Sequence, residues 1–202
     1  MKRTYLRFGI ILGTLFVLGE VLLPRFVGAH APRAAEDNRS LLELHTSPSE
    51  DLERIDLETL GQAHTSIEMD AYSLTDKAII DALKDAALRG VRVSLYLDNE
   101  QTTNELRRPD LRDELLDLAA TRNVNVQVKR SRVLQHTKGY IIDSRLVREG
   151  SANFSPSALK RQDNTLVLTN DAEASRSFEH SYEIEWNRQD NIPLLQFDRF
   201  GR

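Results

Sequence analysis

The sequence predicts an α/β domain, a layered α-β-α sandwich built on a mixed β-sheet. One observation predicts it, and two more exclude the competing classes. Stretches whose apolar residues alternate, such as Val91, Val93, Leu95 and Leu97, take turns along the chain with stretches at helical spacing, such as Ile79, Ile80, Leu83 and Ala87. A hydrophobic share of 40% beside a charged share of 29% is the balance of a soluble globular protein, not of a polytopic membrane protein or a disordered chain. The 202 residues include no cysteine, which excludes a disulfide scaffold, a thiolate metal site and a cysteine nucleophile.

The elements follow in order. Leu41 to Thr46 reads as a short strand. Ser47-Pro48-Ser49-Glu50 then offers an N-cap, a proline at the first helical position and a glutamate closing a capping box, with Leu52, Ile55 and Leu60 inward and Gly61 as the stop. Thr65 to Tyr72 is a strand, and Thr75 caps a helix that ends at Gly90. The alternating strand from Val91 to Leu97 leads into Asp98 to Pro109, which is polar and reads as a surface loop. Asp110 starts a helix with Leu111, Leu115 and Leu118 inward, and Val124, Val126 and Val128 alternate as a strand. Thr137 to Asp143 and Leu146 to Glu149 pair around a turn at Ser144-Arg145, Thr165 to Thr169 is a further strand, and Asp171 caps a last helix. Phe178, Tyr182 and Trp186 share one face of that helix and are expected in the core.

Charge is distributed unevenly. The formal net charge is −4, yet residues 1–29 hold Lys2, Arg3, Arg7 and Arg25 against Glu20 alone, so the body is more acidic than the whole. Three of those basic residues precede the apolar run Phe8 to Gly19, with Glu20 and then Pro24 soon after. That pattern is an export signal, with cleavage near Val27-Gly28-Ala29; an uncleaved N-terminal anchor using residues 8–23 is the alternative. The domain plan is a leader over 1–29, a linker over 30–40, one α/β domain over 41–190 and a C-terminal tail over 191–202. The body is expected to be exported, to the periplasm or beyond, or held at the inner membrane by the leader. An acidic body argues against non-specific coating of nucleic acid, so any such binding needs a local basic groove.

One stretch carries chemistry. From His136 the chain reads His-Thr-Lys-Gly-Tyr-Ile-Ile-Asp, then six residues, then Gly150-Ser151-Ala152-Asn153. As a pattern this is HxK(x4)D(x6)GSxN, far more specific than a lone HxK. His136 and Lys138 are two apart in a strand and so share a face; Ser151 and Asn153 repeat that spacing on the return. A hairpin would gather an imidazole, an ammonium, a hydroxyl and an amide. That set suits a phosphodiester: Lys138 supplies charge, Ser151 and Asn153 donate hydrogen bonds, and His136 attacks or shuttles a proton. No second histidine or carboxylate here has metal-ligand spacing, so a reaction without metal or other cofactor is expected. Lys129, Arg130 and Arg132 lie just upstream and are candidates to line an entrance for an anionic substrate.

The pattern resembles the HKD motif of the phospholipase D superfamily. Ser47-Pro48, Ala71-Tyr72-Ser73-Leu74-Thr75-Asp76, Arg89-Gly90-Val91-Arg92-Val93 and Gln162-Asp163-Asn164 extend the resemblance over roughly Leu41 to Trp186, and the short single-motif form is most similar to bacterial endonucleases and their phospholipase relatives. The resemblance implies a phospholipase D-like sheet fold and gives each residue a role. His136 would be the nucleophile forming a phosphohistidine. Lys138 and Asn153 would hold the non-bridging phosphate oxygens, and Ser151 would bond in the same pocket. Asp163 would orient the His136 ring, and Asp143 would be supportive. Family members use two motifs per active site, whereas this chain has one; the resemblance therefore implies a homodimer with a composite site across its two-fold axis. A non-specific endonuclease is the favoured reading. The alternative is a phospholipase D that hydrolyses phosphatidyl lipids such as phosphatidylcholine to phosphatidic acid, and a third is a non-catalytic binding relative.

Overall fold

The computed structural model describes residues 40–200; the leader and nearly all of the linker lie outside them. The elements run β1 (Leu42–Ser47), α1 (Leu52–Gly61), β2 (Ser66–Ala71), α2 (Lys77–Leu88), β3 (Arg92–Leu97), α3 (Asn99–Glu105), α4 (Pro109–Ala120), β4 (Val124–Val128), β5 (Lys138–Ile142), β6 (Leu146–Gly150), α5 (Pro156–Lys160), β7 (Asn164–Thr169), α6 (Ala172–Trp186), β8 (Ile192–Pro193) and α7 (Leu194–Phe200). The eight strands form one sheet in the order β1-β7-β6-β5-β2-β3-β4-β8. Strands β2, β3 and β4 are parallel, and every other pairing is antiparallel, so the sheet is mixed.

Alternation along the strands sends side chains to two cores. The larger lies under α1, α2 and α4, with Ile67, Met69, Val93, Leu95, Leu83 and Leu115 all buried. The smaller lies under α6, where Phe178 and Tyr182 meet Tyr96, Ile141 and Val147, with Trp186 stacked on Tyr182. The aromatic stripe of α6 is therefore core, as its spacing predicts.

Several boundaries differ from the sequence reading. Helix α1 is capped by Asp51, which accepts from the Arg54 amide, and not by Ser47. Ser47 ends β1 and donates its hydroxyl to the Gln162 carbonyl at 2.7 Å, while the Glu50 carboxylate turns back to the Thr46 amide. Asp76 rather than Thr75 caps α2, accepting from Ala78 and Ile79. The polar segment after β3 is a helix, α3, capped by Asp98. Its buried residues are Thr102 and Glu105, so it carries no apolar period to detect. Helices α5 and α7 and strand β8 were likewise absent from the sequence reading. The segment read as a tail packs Leu194 and Phe197 into the main core. The β5–β6 turn holds Asp143 and Ser144 at positive φ, one residue earlier than the sequence suggests.

The register puts Lys138 opposite Ala71 and Gly139 opposite Glu149. The C-terminal ends of β2 and β3, the start of β5, the end of β6 and the start of β7 thus share one edge of the sheet, where open α/β sheets place their ligands. Gly150 is required there: a Cβ would lie 2.2 Å from the Thr165 carbonyl oxygen, closer than any real contact.

Candidate active site

His136 stands just before β5, on the approach to that shared edge, and its side chain is exposed. The Tyr72 amide bonds to the Thr137 carbonyl and extends the β2–β5 pairing toward it. Tyr72 then packs edge-on to the His136 ring, with centroids 4.5 Å apart at 65°. Lys138, on the first rung of β5, is buried; its ammonium lies 4.6 Å from the centroid of the same Tyr72 ring and donates to the His136 carbonyl. Burial pulls its pKa down to about 8, against the opposing pull of Glu149 and Asp98.

The second half of the motif arrives on the loop after β6. Phe154 pairs with Leu74, and its carbonyl accepts from the Thr75 and Asp76 amides, which stitches this loop to the segment after β2. Within it the side-chain oxygen of Asn153 is buried without a hydrogen-bond donor. Such an orphan acceptor is uncommon and calls for a donor such as water; it is the side-chain NH2 of Asn153 that can donate to a phosphate oxygen. Ser151 behaves differently from expectation. Its hydroxyl donates to Asn164 at 2.9 Å and accepts from the Thr165 amide at 3.0 Å, so it is committed to tying β6 to β7.

One buried ion pair holds the two halves at their separation. Arg148, on β6, is fully buried and makes a two-pronged contact to Asp56 of α1, at 3.0 Å on each prong. The Tyr140 hydroxyl also donates to Asp56 at 2.9 Å. The remaining nitrogen of the Arg148 fork donates to the Lys138 carbonyl at 2.8 Å and the Ala152 carbonyl at 3.4 Å, and the guanidinium lies over the Phe154 ring. A planar fork with five donors suits this task in a way a lysine would not.

Two expected site residues are not brought to His136. Asp143 lies at the far end of β5, about 17 Å along the strand from Lys138. Its carboxylate accepts from the amides of His64, Thr65 and Ser66 and from the Thr65 hydroxyl, which hold its pKa down at about 2 despite the cost of partial burial. It is an anchor of the sheet, outside the site. Asp163 is exposed at the start of β7, and no hydrogen bond joins it to His136. The physical reason is the strand order, because β6 lies between β7 and β5, a separation of about 10 Å. Asp163 instead lines an open groove with Ser49, Ser151 and Thr165.

The basic cluster divides as well. Lys129 is buried, with its ammonium near the Leu134 carbonyl, whereas Arg130 and Arg132 are exposed on the loop leading to His136. Val133 and Leu134 on the same loop are 72% and 50% exposed. Asp98 anchors the loop by accepting from the Gln135 amide, and Asn99 by donating to the Arg130 carbonyl. Sequence reasoning missed Tyr72, Asp98, Arg148 and Asp56. Only the burial of a charge on an otherwise apolar strand face hints at Arg148, and Tyr72 carries no spacing signal at all.

A mixed sheet whose HxK strand and GSxN loop meet at one edge, with an exposed imidazole beside a buried ammonium, defines a phosphodiesterase of the phospholipase D superfamily. The chain belongs to the family described as cardiolipin synthase, PLD-like domain, which matches residues 57–186. A phospholipase D from Rickettsia bellii is 29% identical over 181 residues, covering 84% of this chain and 86% of its own. Among solved structures, the phospholipase D family member Nuc from Salmonella typhimurium superposes with a TM-score of 0.68 at 26% identity, over 76% of this chain and 97% of that one. NucT from Helicobacter pylori gives 0.64 at 25% identity, over 76% and 99%.

Proposed function

We propose that this chain is a metal-independent endonuclease that works through a phosphohistidine. The observation that carries this reading is the pairing of exposed His136 with buried, desolvated Lys138 at the sheet end that the Gly150-Ser151-Ala152-Asn153 loop also reaches. A His136 ring nitrogen attacks phosphorus, the P–O bond to the leaving alcohol breaks, and water then cleaves the P–N bond to free the histidine. Lys138 and Asn153 hold the non-bridging oxygens as charge builds there.

The leaving oxygen needs a proton, and a second imidazole is the natural source. The other described histidines do not supply one. His45 is held by Glu43 and Glu50, His64 lies beside Asp143 at the far end of the sheet, and His180 is on α6. We take the second imidazole to be His136 of a second copy, in a homodimer with one composite site, as the resemblance to a two-motif family implies for a chain with one motif. Arg130 and Arg132 flank the entrance for a polyanion. Residues 1–29 are read as the segment that exports the chain or anchors it.

Lipid is the second reading. The exposed Val133 and Leu134 beside Arg130 and Arg132 favour it, as do relatives bearing the names phospholipase D and mitochondrial cardiolipin hydrolase. The test offers the full-length chain plasmid DNA, single-stranded RNA and phosphatidylcholine vesicles, each in excess chelator. Nucleic-acid cleavage that persists in chelator, by a species sedimenting as a dimer, is the expected result. Cleavage of vesicles alone would replace the nuclease with the phospholipase. Loss of activity in chelator would overturn the metal-free mechanism, and an active monomer the composite site.

A further inference from the structure

We propose that Tyr72 is a positioning residue of this site, and that its ring face sets both the plane of the His136 imidazole and the place of the Lys138 ammonium. This rests on the phosphodiesterase reading above and adds a part to that site. No other side chain among the described residues makes a ring contact to both groups: the His136 ring meets Tyr72 edge-on at 4.5 Å, and the Lys138 ammonium stands 4.6 Å from the Tyr72 centroid. An aromatic face carries negative charge and its edge positive, so both contacts are oriented attractions as well as packing.

The rest of the surroundings explains why such a support is needed. His136 is exposed and, among the described residues, receives no side-chain hydrogen bond, so within the chain Tyr72 is the ring contact that restrains it. The carboxylate expected to orient it, Asp163, lies two strands away. Among the described residues, Lys138 is buried with no carboxylate in salt-bridge contact; Glu149 on β6 and Asp98 at the cap of α3 act on it through space, and its remaining partner is the neutral His136 carbonyl. Tyr72 is itself held, since its amide bonds to Thr137 and its phenol oxygen accepts from Gln101 of α3 at 2.9 Å. The ring is a fixed wall between two residues that must present themselves together to one phosphate. Because the work is done by the ring and not the hydroxyl, phenylalanine at this position serves nearly as well, whereas an aliphatic residue of similar bulk does not.

The experiment uses the full-length chain. Hydrolysis of bis(4-nitrophenyl) phosphate is followed against pH, and the Lys138 titration is read separately by NMR after ¹³C-methylation of lysines, with Lys138→Arg assigning the signal. Tyr72→Leu is expected to lower kcat about 10- to 100-fold with KM changed far less, as displaced reacting groups do. It also moves the Lys138 titration, and with it the alkaline limb of the rate profile, down by about half a unit to one unit, because the charged form loses its ring partner. Tyr72→Phe restores both. A fluorinated phenylalanine at position 72 keeps the shape but drains charge from the ring face, and must shift the titration as leucine does; it decides the matter even if Tyr72→Leu fails to fold. An unmoved titration in the fluorinated protein, or Tyr72→Phe as impaired as Tyr72→Leu, overturns the proposal. The NMR readout needs no turnover, so failure of the phosphodiesterase reading would show as a wild-type chain without activity, independently of Tyr72.

Discussion

The two ends of strand β5 carry charged residues of one motif in opposite physical states. At the Asp143 end, four donors converge on a single carboxylate and its pKa falls to about 2. At the Lys138 end an ammonium is buried with, among the described residues, a carbonyl and an aromatic face for partners, and its pKa falls to about 8. Solvating a charge fully with protein dipoles stabilises the fold. Leaving a charge partly unsatisfied costs stability, and keeps its interaction free energy for an anionic ligand. The motif is thus two devices joined by five residues of strand, one structural and one chemical.

The comparison breaks most visibly at His136. If His136 is the proposed nucleophile, His136→Ala should lower phosphodiester cleavage by about 10⁴-fold or more while stability stays within roughly 0.5 kcal/mol, since its side chain is exposed and outside the packed core. Cleavage assays with thermal unfolding of the same sample read both numbers, and a large loss of stability would remove the distinction between the two ends. Next in size is Arg148→Met. It strands the Asp56 carboxylate in the core and should cost about 3–5 kcal/mol in denaturant unfolding. The double variant with Asp56→Leu should recover much of that stability but not the activity, because the Lys138 and Ala152 carbonyls remain without the fork that spaces them. Smallest is Asp143→Asn. The folded pKa of Asp143 is depressed, so its contribution is complete above about pH 4 and lost as pH falls through about 2. Asp143→Asn should cost about 2 kcal/mol at pH 7 and almost nothing near pH 2, with kcat unchanged, as urea unfolding at several pH values would show. A fall in kcat would return Asp143 to the site.

How much of this was legible beforehand differs from element to element. Strands such as Val91 to Leu97 and helices such as α2 and α4 show in the apolar period because each buries one face against a layer. Helix α3 did not show, because it buries Thr102 and Glu105. The Glu105 carboxyl accepts from the Ser73 hydroxyl and the Leu74 amide, and burial pushes its pKa up to about 7. A polar helix that serves a site lacks the signal that packing leaves in a sequence. The core role of Phe178 and Tyr182 was legible; the support Tyr72 gives His136 was not, since nothing in its spacing distinguishes it from any strand-end aromatic.

By itself, the sequence determined the mixed α/β plan and singled out the candidate motif, because both are written in local spacing: a period of two or 3.6, and six fixed positions within eighteen residues. Only the tertiary structure decided which of those residues share a space. Strand direction carried Asp143 away from Lys138, strand order kept Asp163 from His136, and a contact spanning 92 residues set Arg148 on Asp56. Pairings of that kind depend on which strands lie side by side and which helix covers them, and no spacing along the chain records it.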